Sequence, residues 1–432
     1  MKKQNLNKKL FIIIAITLFS YIISCIVTYD KIDRLPGLYG QTQEVSGTVK
    51  ETEKNFSPQE AIKKLLKISD IMDDVRSLKV MEEPSLEAKN AIIMDNKTNR
   101  VLFEKEPDEQ VAMASTTKIM TFLIVAEHCN IDEKTTVSRQ SATIGGSSMH
   151  LKAGEVISIE ALLYGLLLNS GNDAAGALAE HVSGSIESFC ALMNEKARII
   201  GAYNTHFTSP HGLDNDEHYT TCYDLALITK AAVKNPLFIK IISTQQITVN
   251  NHFLTNTNPL LGQYPEVTGG KTGYTSKAGR CLVLYVNNEN VSAIIVLLGS
   301  PSSGARITDG IACTKYVTNA FKTYTIESRN CVAGSIKVNK GIINSVNLVG
   351  RNDINLTLCA KDFLYADYTV LYRFDGTMTA PVSSSVVLME IYIYSHSTLL
   401  GVIKCGPSSC VPRKSYTNHL SDVLETFPRV FT

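Results

Sequence analysis

The sequence predicts an α+β fold, one sheet with helices packed on it, followed by a small all-β domain. Three observations lead there. Strand-like apolar runs stand near 91–103 and 281–298, helical periodicity fills the stretch between them, and short β-rich runs take over after about Arg329.

In chain order, Lys2, Lys3, Lys8 and Lys9 precede an uncharged run from Leu10 to Tyr29. At about 1.5 Å per residue that run matches the ~30 Å hydrocarbon core of a bilayer. Residues 1–29 are therefore expected to be a membrane anchor or signal segment, with the lysines cytoplasmic and the remainder exported. No A-x-A-like cleavage site follows, which favours an uncleaved anchor. Ile22-Ile23-Ser24-Cys25 also resembles a lipobox, so a lipidated Cys25 is a second outcome, and a plain membrane-buried cysteine a third.

Residues 30–83 read as a polar spacer, with an amphipathic helix expected from about Pro58 to Val75. Ala91–Met94 and Arg100–Phe103 flank the turn-rich Asp95–Asn99 and predict a hairpin. Helices are expected over Thr116–His128, Ile159–Leu168, Asp173–Val182, Glu187–Ile200 and Tyr223–Lys234. A second hairpin is predicted from Cys281–Val286 and Ser292–Leu298, and a last helix over Arg306–Lys322. Residues 84–328 would form the main domain and 329–432 a β-rich one, with strands at Ile354–Leu358 and Val386–Tyr394.

Lys and Arg number 42 against 41 Asp and Glu, so no general charge argument makes nucleic acid a partner. A hydrophobic share of 44% is enough for a buried core. The ten cysteines form no paired C-x-x-C knuckles, which argues against a zinc site of that kind. Cys405 and Cys410 could close a small disulfide loop, whereas Cys129, Cys190 and Cys281 lie in apolar runs and read as reduced core residues.

Three short strings carry the chemistry: Ser115-Thr116-Thr117-Lys118, Ser170-Gly171-Asn172 and Lys271-Thr272-Gly273. The middle one is nonspecific by itself, but its order and setting agree with the other two. Positions i and i+3 share a helix face, so Lys118 is expected beside the Ser115 hydroxyl. A serine hydroxyl becomes a good nucleophile when a base takes its proton. Lysine is such a base only when neutral, which burial among Ile119, Met120, Phe122 and Leu123, and a cation such as Lys271, would favour. A helix N-terminus at Ser115 would in addition favour developing negative charge. The plain alternative, an N-cap serine followed by a surface lysine, explains one motif and not three.

With these motifs the chain resembles the serine D-alanyl-D-alanine carboxypeptidases, the low-molecular-mass penicillin-binding proteins of bacterial cell-wall synthesis. The likeness extends through SSMHLKAGE, LLYGLLLNSGNDAAGALAEHVSGS, FTSPHGLDNDEHYTT and YPEVTGGKTGYTSKAGRCLV, and covers about Glu87 to Lys322 closely. It implies a transpeptidase domain of the penicillin-binding-protein and β-lactamase type. It further implies that Ser115 attacks the carbonyl between two D-alanines, with Lys118 as base and Ser170 as proton relay. Asn172, Lys271, Thr272 and Gly273 would bind substrate, and the backbone N–H groups of Ser115 and Tyr274 would form the oxyanion hole. The implied partners are a peptidoglycan stem peptide ending in D-Ala-D-Ala and, as covalent inhibitors, β-lactams. The implied location is the outer face of the cell membrane, and no metal or organic cofactor is required.

Several rivals share some of these features. A β-lactamase of one large class would need an E-x-x-L-N string between Asn172 and Lys271, which is missing. A D,D-endopeptidase or a catalytically idle wall sensor of the same fold stays open. Gly269-Gly270-Lys271-Thr272 fails as a phosphate loop because Pro265 stands where glycine is needed. His211, Asp214, Asp216 and His218 are expected in a polar surface loop rather than as metal ligands.

Overall fold

The computed structural model describes residue 65, residues 68–362, 366–372, 377–395 and 398–415. Helix α1 covers Ile68–Ser77, and the strands β1 (Asn90–Asp95) and β2 (Val101–Lys105) follow as the expected hairpin. A single 3-10 turn, Ala114–Thr117, runs into α2 (Lys118–His128). Next come β3 (Lys134–Thr136), α3 (Arg139–Ala142), β4 (Val156–Ser158), α4 (Ile159–Leu167), α5 (Asn172–Ser183) and α6 (Ile186–Ile200). They are followed by α7 (Cys222–Val233), α8 (Pro236–Ile242), β5 (Gln246–Val249), β6 (His252–Thr255), β7 (Val267–Thr275), β8 (Gly279–Asn287), β9 (Ser292–Ser300) and α9 (Ser303–Ala320).

Five of these strands form one antiparallel sheet in the order β2-β1-β9-β8-β7. Because side chains alternate along a strand, its two faces enter two different cores. Ile92, Met94, Ile294, Val296 and Leu298 point into the helical layer with Phe122, Leu163 and Leu178. Ala91, Ile93, Ala293, Ile295 and Leu297 point the other way, to Cys313 and Val317 of α9. Burial on both faces is why β1 and β9 read as continuous apolar runs rather than alternating ones.

The remaining strands are β10 (Phe321–Ile326), β11 (Val332–Asn339), β12 (Ser345–Gly350), β13 (Ile354–Cys359), β14 (Ala366–Tyr372), β15 (Thr377–Thr379), β16 (Met389–Ser395) and β17 (Thr398–Pro407). They form a six-stranded sheet, β14-β16-β17-β12-β11-β15, and the pair β10-β13. Their core includes Ile336, Leu348, Ile391 and Ile403, and Leu65 and Val75, the latter on the amphipathic helix α1, are buried with them. Asp74 of that helix accepts from Lys322 Nζ at 2.6 Å and from Tyr324 OH at 2.9 Å. The helix is therefore one wall of the β-rich core.

The disulfide expectation is corrected. Cys405 is a buried thiol and Cys410 an exposed one that accepts from the Ser384 N–H, so the two are not joined. Cys190 and Cys281 are buried thiols as expected, but Cys129 is only partly covered. The apolar run Leu10–Tyr29, and with it Cys25, lies outside the described residues. Among the described residues no helix is long and apolar enough to cross a membrane.

Candidate active site

The first motif sits at a junction of helix types rather than inside a long helix. Ser115 belongs to the 3-10 turn and Lys118 is the first residue of α2. At three residues per turn, i and i+3 eclipse, which brings the two side chains closer than an α-helix would. Lys118 Nζ lies 2.8 Å from Ser115 Oγ, 2.7 Å from Asn172 Oδ1 and 2.8 Å from the carbonyl oxygen of His211. The lysine is fully buried.

These partners set the chemistry of the amine. Asn172 Nδ2 donates to the Gly145 carbonyl at 2.7 Å, which fixes the amide so that Oδ1 faces Lys118. Neither Oδ1 nor a backbone carbonyl can donate. A neutral amine has two N–H groups and one lone pair. The charged amine donates to all three partners, whereas the neutral amine, with its N–H groups on Asn172 and His211, would leave its lone pair for the Ser115 hydroxyl. Burial, and next the charge of Lys271, push Lys118 well below the usual lysine value of 10.5. Asp173 acts against this, but it is engaged by Ser148 Oγ and by the N–H groups of Met149 and Leu151. That clamp on the 148–151 loop explains why the SSMHL string lies beside the site.

The second motif is a strained turn. Ser170 has φ +60°, is buried, and its hydroxyl has no hydrogen-bond partner among the described residues. Gly171 then caps α5, whose first residue is Asn172. A buried hydroxyl without a partner costs stability and is available to a ligand.

The third motif lies on β7, the edge strand next to β8, with Lys271 opposite Val283 and Thr272 opposite Leu282. Lys271 is buried and donates to the Thr272 carbonyl at 2.9 Å. Burial, and then the charge of Arg306, bring it from 10.5 down to about 7. Thr272 Oγ1 is 2.7 Å from Thr257 Oγ1. A Cβ added to Gly273 would stand 3.0 Å from the Ser115 nitrogen, so the strand backbone runs directly against the 3-10 turn. Tyr274 is half-exposed beside it, and Arg280 lies over its ring at 3.7 Å.

The three motifs thus converge on one place. Ser115, Lys118 and Asn172 meet by direct contact, Gly273 packs on the turn, and Lys271 lies near enough to bias Lys118. The sequence reading missed three contributors. The His211 carbonyl is a backbone group with no side-chain signal, although His211-Gly212 lies within a string that matched the family. Arg306, in the first turn of α9, is largely buried, and its charge acts on Lys271. His218, expected at the surface, is buried and sits 2.8 Å from Thr117 Oγ1, bracing the turn that carries Ser115.

Comparison with known proteins agrees with this geometry. Residues 77–302 match the family model described as D-alanyl-D-alanine carboxypeptidase, peptidase S11. The D-alanyl-D-alanine carboxypeptidase DacF of Bacillus subtilis (strain 168) is 34% identical over 73% of this chain and 83% of its own. DacC of Escherichia coli (strain K12) is 32% identical over 72% and 81%. Among solved structures, penicillin binding protein 5 from Haemophilus influenzae aligns with a TM-score of 0.70 and 26% identity, covering 77% of this chain and all of that one. The Streptomyces K15 DD-transpeptidase aligns at 0.52 and 32% identity over 55% of this chain and 98% of its own. With its sheet, its helical layer and a serine in contact with a buried lysine where they meet, the chain belongs to the D-alanyl-D-alanine carboxypeptidase family, peptidase S11.

Proposed function

We propose that the chain removes the terminal D-alanine from peptidoglycan stem peptides ending in D-Ala-D-Ala, with Ser115 as nucleophile and Lys118 as its base. The observation that carries this is the 2.8 Å contact between Ser115 Oγ and a fully buried Lys118 whose other partners are both acceptors. Ser115 Oγ attacks the carbonyl carbon between the two D-alanines as its proton passes to Lys118 Nζ. The oxyanion is taken by the backbone N–H groups of Ser115 and Tyr274, a reading supported by the close packing of Gly273 on the turn. The C–N bond then breaks, and Ser170 relays a proton to the departing amine, consistent with its otherwise idle hydroxyl. Water, deprotonated by Lys118, hydrolyses the acyl ester and regenerates Ser115.

Asn172 orients Lys118 and the substrate amide, while Lys271, Thr272 and Gly273 receive the terminal carboxylate. A bound carboxylate favours the charged form of Lys271, and that charge in turn favours neutral Lys118. Substrate recognition and base activation are thereby coupled. β-Lactams, which present a carboxylate next to a strained amide, enter the same cycle and stay as a slow-hydrolysing ester on Ser115. This reading takes 84–328 as the peptidase domain and 329–432 as a β-rich appendage. The lysine-flanked run Leu10–Tyr29 supports an N-terminal tether to the outer face of the cell membrane.

The test is incubation with a peptide ending in D-Ala-D-Ala, reading free D-alanine, alongside labelling with a fluorescent penicillin. Wild type is expected to release D-alanine and take the label, and Ser115→Ala to do neither while staying folded. Equal labelling of both proteins would remove Ser115 as nucleophile. Labelling without D-alanine release, with cleavage of a cross-linked dimer instead, would make the activity an endopeptidase.

A further inference from the structure

The two helices that begin with Lys118 and Asn172 also end close together, and three metal-ligating side chains meet there. Cys129 follows the last residue of α2, Glu133 stands in the turn before β3, and His181 lies in the last turn of α5. Their donor atoms all lie within 4.8 Å of one another, with His181 Nε2 and Glu133 Oε2 3.0 Å apart. The backbone beneath them is held. Cys129 N–H donates to Val125, Glu133 N–H donates to Asn130, and the Glu133 carbonyl accepts from Ile159. Glu133 Oε1 is occupied by the Asn130 N–H at 2.9 Å, which leaves Oε2 for the cluster.

We propose that Cys129 Sγ, Glu133 Oε2 and His181 Nε2 form a site for one divalent cation of the zinc class, with water as the fourth ligand. Tetrahedral ligands about 2.0–2.3 Å from zinc stand about 3.5 Å apart, so the three donors close on an ion by shifts of about 1 Å. All three belong to partly exposed side chains that can make that adjustment. A sulfur, nitrogen and oxygen set selects zinc and its neighbours over calcium and magnesium, which take oxygen ligands. On binding, the Cys129 thiol proton leaves to solvent, and the thiolate and carboxylate together balance the charge of the ion. The mixed, long-range origin of the ligands is why the absence of C-x-x-C pairs in the sequence did not reveal the site.

At 1.5 Å per residue over the 14 residues from Ser115 to Cys129, the cluster is about 21 Å from Ser115, so the ion does not touch the reacting atoms. It would instead tie the distal end of the Lys118 helix to that of the Asn172 helix.

Titration of the metal-free full-length protein with cobalt(II) chloride tests this. One equivalent is expected to produce a sulfur-to-cobalt charge-transfer band in the near ultraviolet, and zinc is expected to displace it. Cys129→Ser should lose that band, and His181→Ala should weaken zinc binding at least tenfold. Both variants should take up fluorescent penicillin at Ser115 within twofold of wild type, which shows that they are folded. A penicillin-reactive wild type with no sulfur band would overturn the proposal. So would a band of equal intensity in Cys129→Ser, which would trace to another thiol such as the exposed Cys410. The outcome is independent of D-alanine release.

Discussion

Lys118 Nζ and Asn172 Oδ1 stand 2.7 Å apart, and both side chains are shut off from solvent. Since the Gly145 carbonyl fixes the amide, Asn172 presents an acceptor without a charge. Asn172→Asp keeps the shape and adds a negative charge, which holds a proton on Lys118. We expect acylation by penicillin at pH 7 to fall by about 10²–10³-fold, with partial recovery at alkaline pH. Stopped-flow acylation across pH checks this. A wild-type rate with an unchanged pH profile would mean that neutral Lys118 is not the base.

Lys271 leads to two pH effects. Lowered to about 7 by burial and by Arg306, it loses its charge in the free enzyme as pH rises through that value. The expected kcat/KM therefore declines on the alkaline side near pH 7. The decline in kcat comes at higher pH, because a bound carboxylate favours the charged amine. Lys271→Arg should retain lower activity without that alkaline decline, as guanidinium does not titrate there. Stability has its own sign. Between about 7 and 10.5 the unfolded chain holds a proton on this lysine that the folded chain lacks, so stability increases with pH across the window. Lys271→Met should remove this contribution and raise the melting midpoint at pH 7 by roughly 2–4 °C while abolishing D-alanine release. Calorimetry at pH 7 and 9.5 measures both, and a midpoint below wild type would reject the account.

What could be read in the sequence was what side-chain type and periodicity encode. The S-x-x-K lysine, the helices of the middle region and the two hairpins carry apolar rhythm or reactive groups, and they lie where that rhythm puts them. Strand β7 was not legible as a strand, because Val267–Thr275 has glycine at 269, 270 and 273 in place of alternation. Those glycines are there because other chain segments come close. A Cβ at Gly270, for instance, would stand 2.0 Å from the Val283 carbonyl. The His211 carbonyl, the field of Arg306 and the meeting of Cys129 with His181 are products of tertiary packing that local pattern does not contain. The amphipathic helix looked like part of a spacer because its apolar face finds its partner, the core around Leu348 and Ile391, far along the chain.

Ser170 offers a separation of function from stability. Its hydroxyl is buried with no partner among the described residues, and its φ is +60°. Ser170→Ala deletes an unsatisfied polar group, so folding stability should stay the same or increase by up to about 1 kcal/mol. D-alanine release should fall by about 10²-fold or more if the hydroxyl relays a proton. Denaturant melts and steady-state assays on the same protein provide the comparison. Joint loss of stability and turnover would assign Ser170 a structural role.

Gly212 and Gly184 have similar positive φ angles, +86° and +76°, but very different surroundings. A Cβ at Gly184 meets nothing within 4 Å, whereas at Gly212 it would stand 1.9 Å from the Ala114 carbonyl oxygen and 2.5 Å from Thr117 Oγ1. Gly184→Ala therefore carries conformational strain only, about 1 kcal/mol, with acylation unchanged. Gly212→Ala must also displace backbone. The segment that gives way is the 3-10 turn holding Ser115 or the His211 carbonyl that accepts from Lys118. We expect Gly212→Ala to lose about 2–4 kcal/mol of stability and at least tenfold in acylation rate even where it remains folded. Equal effects of the two substitutions, measured by urea unfolding and penicillin labelling, would show that backbone conformation alone governs both positions. A larger effect at Gly212 would show that the close approach of this loop to the turn sets the geometry of Ser115.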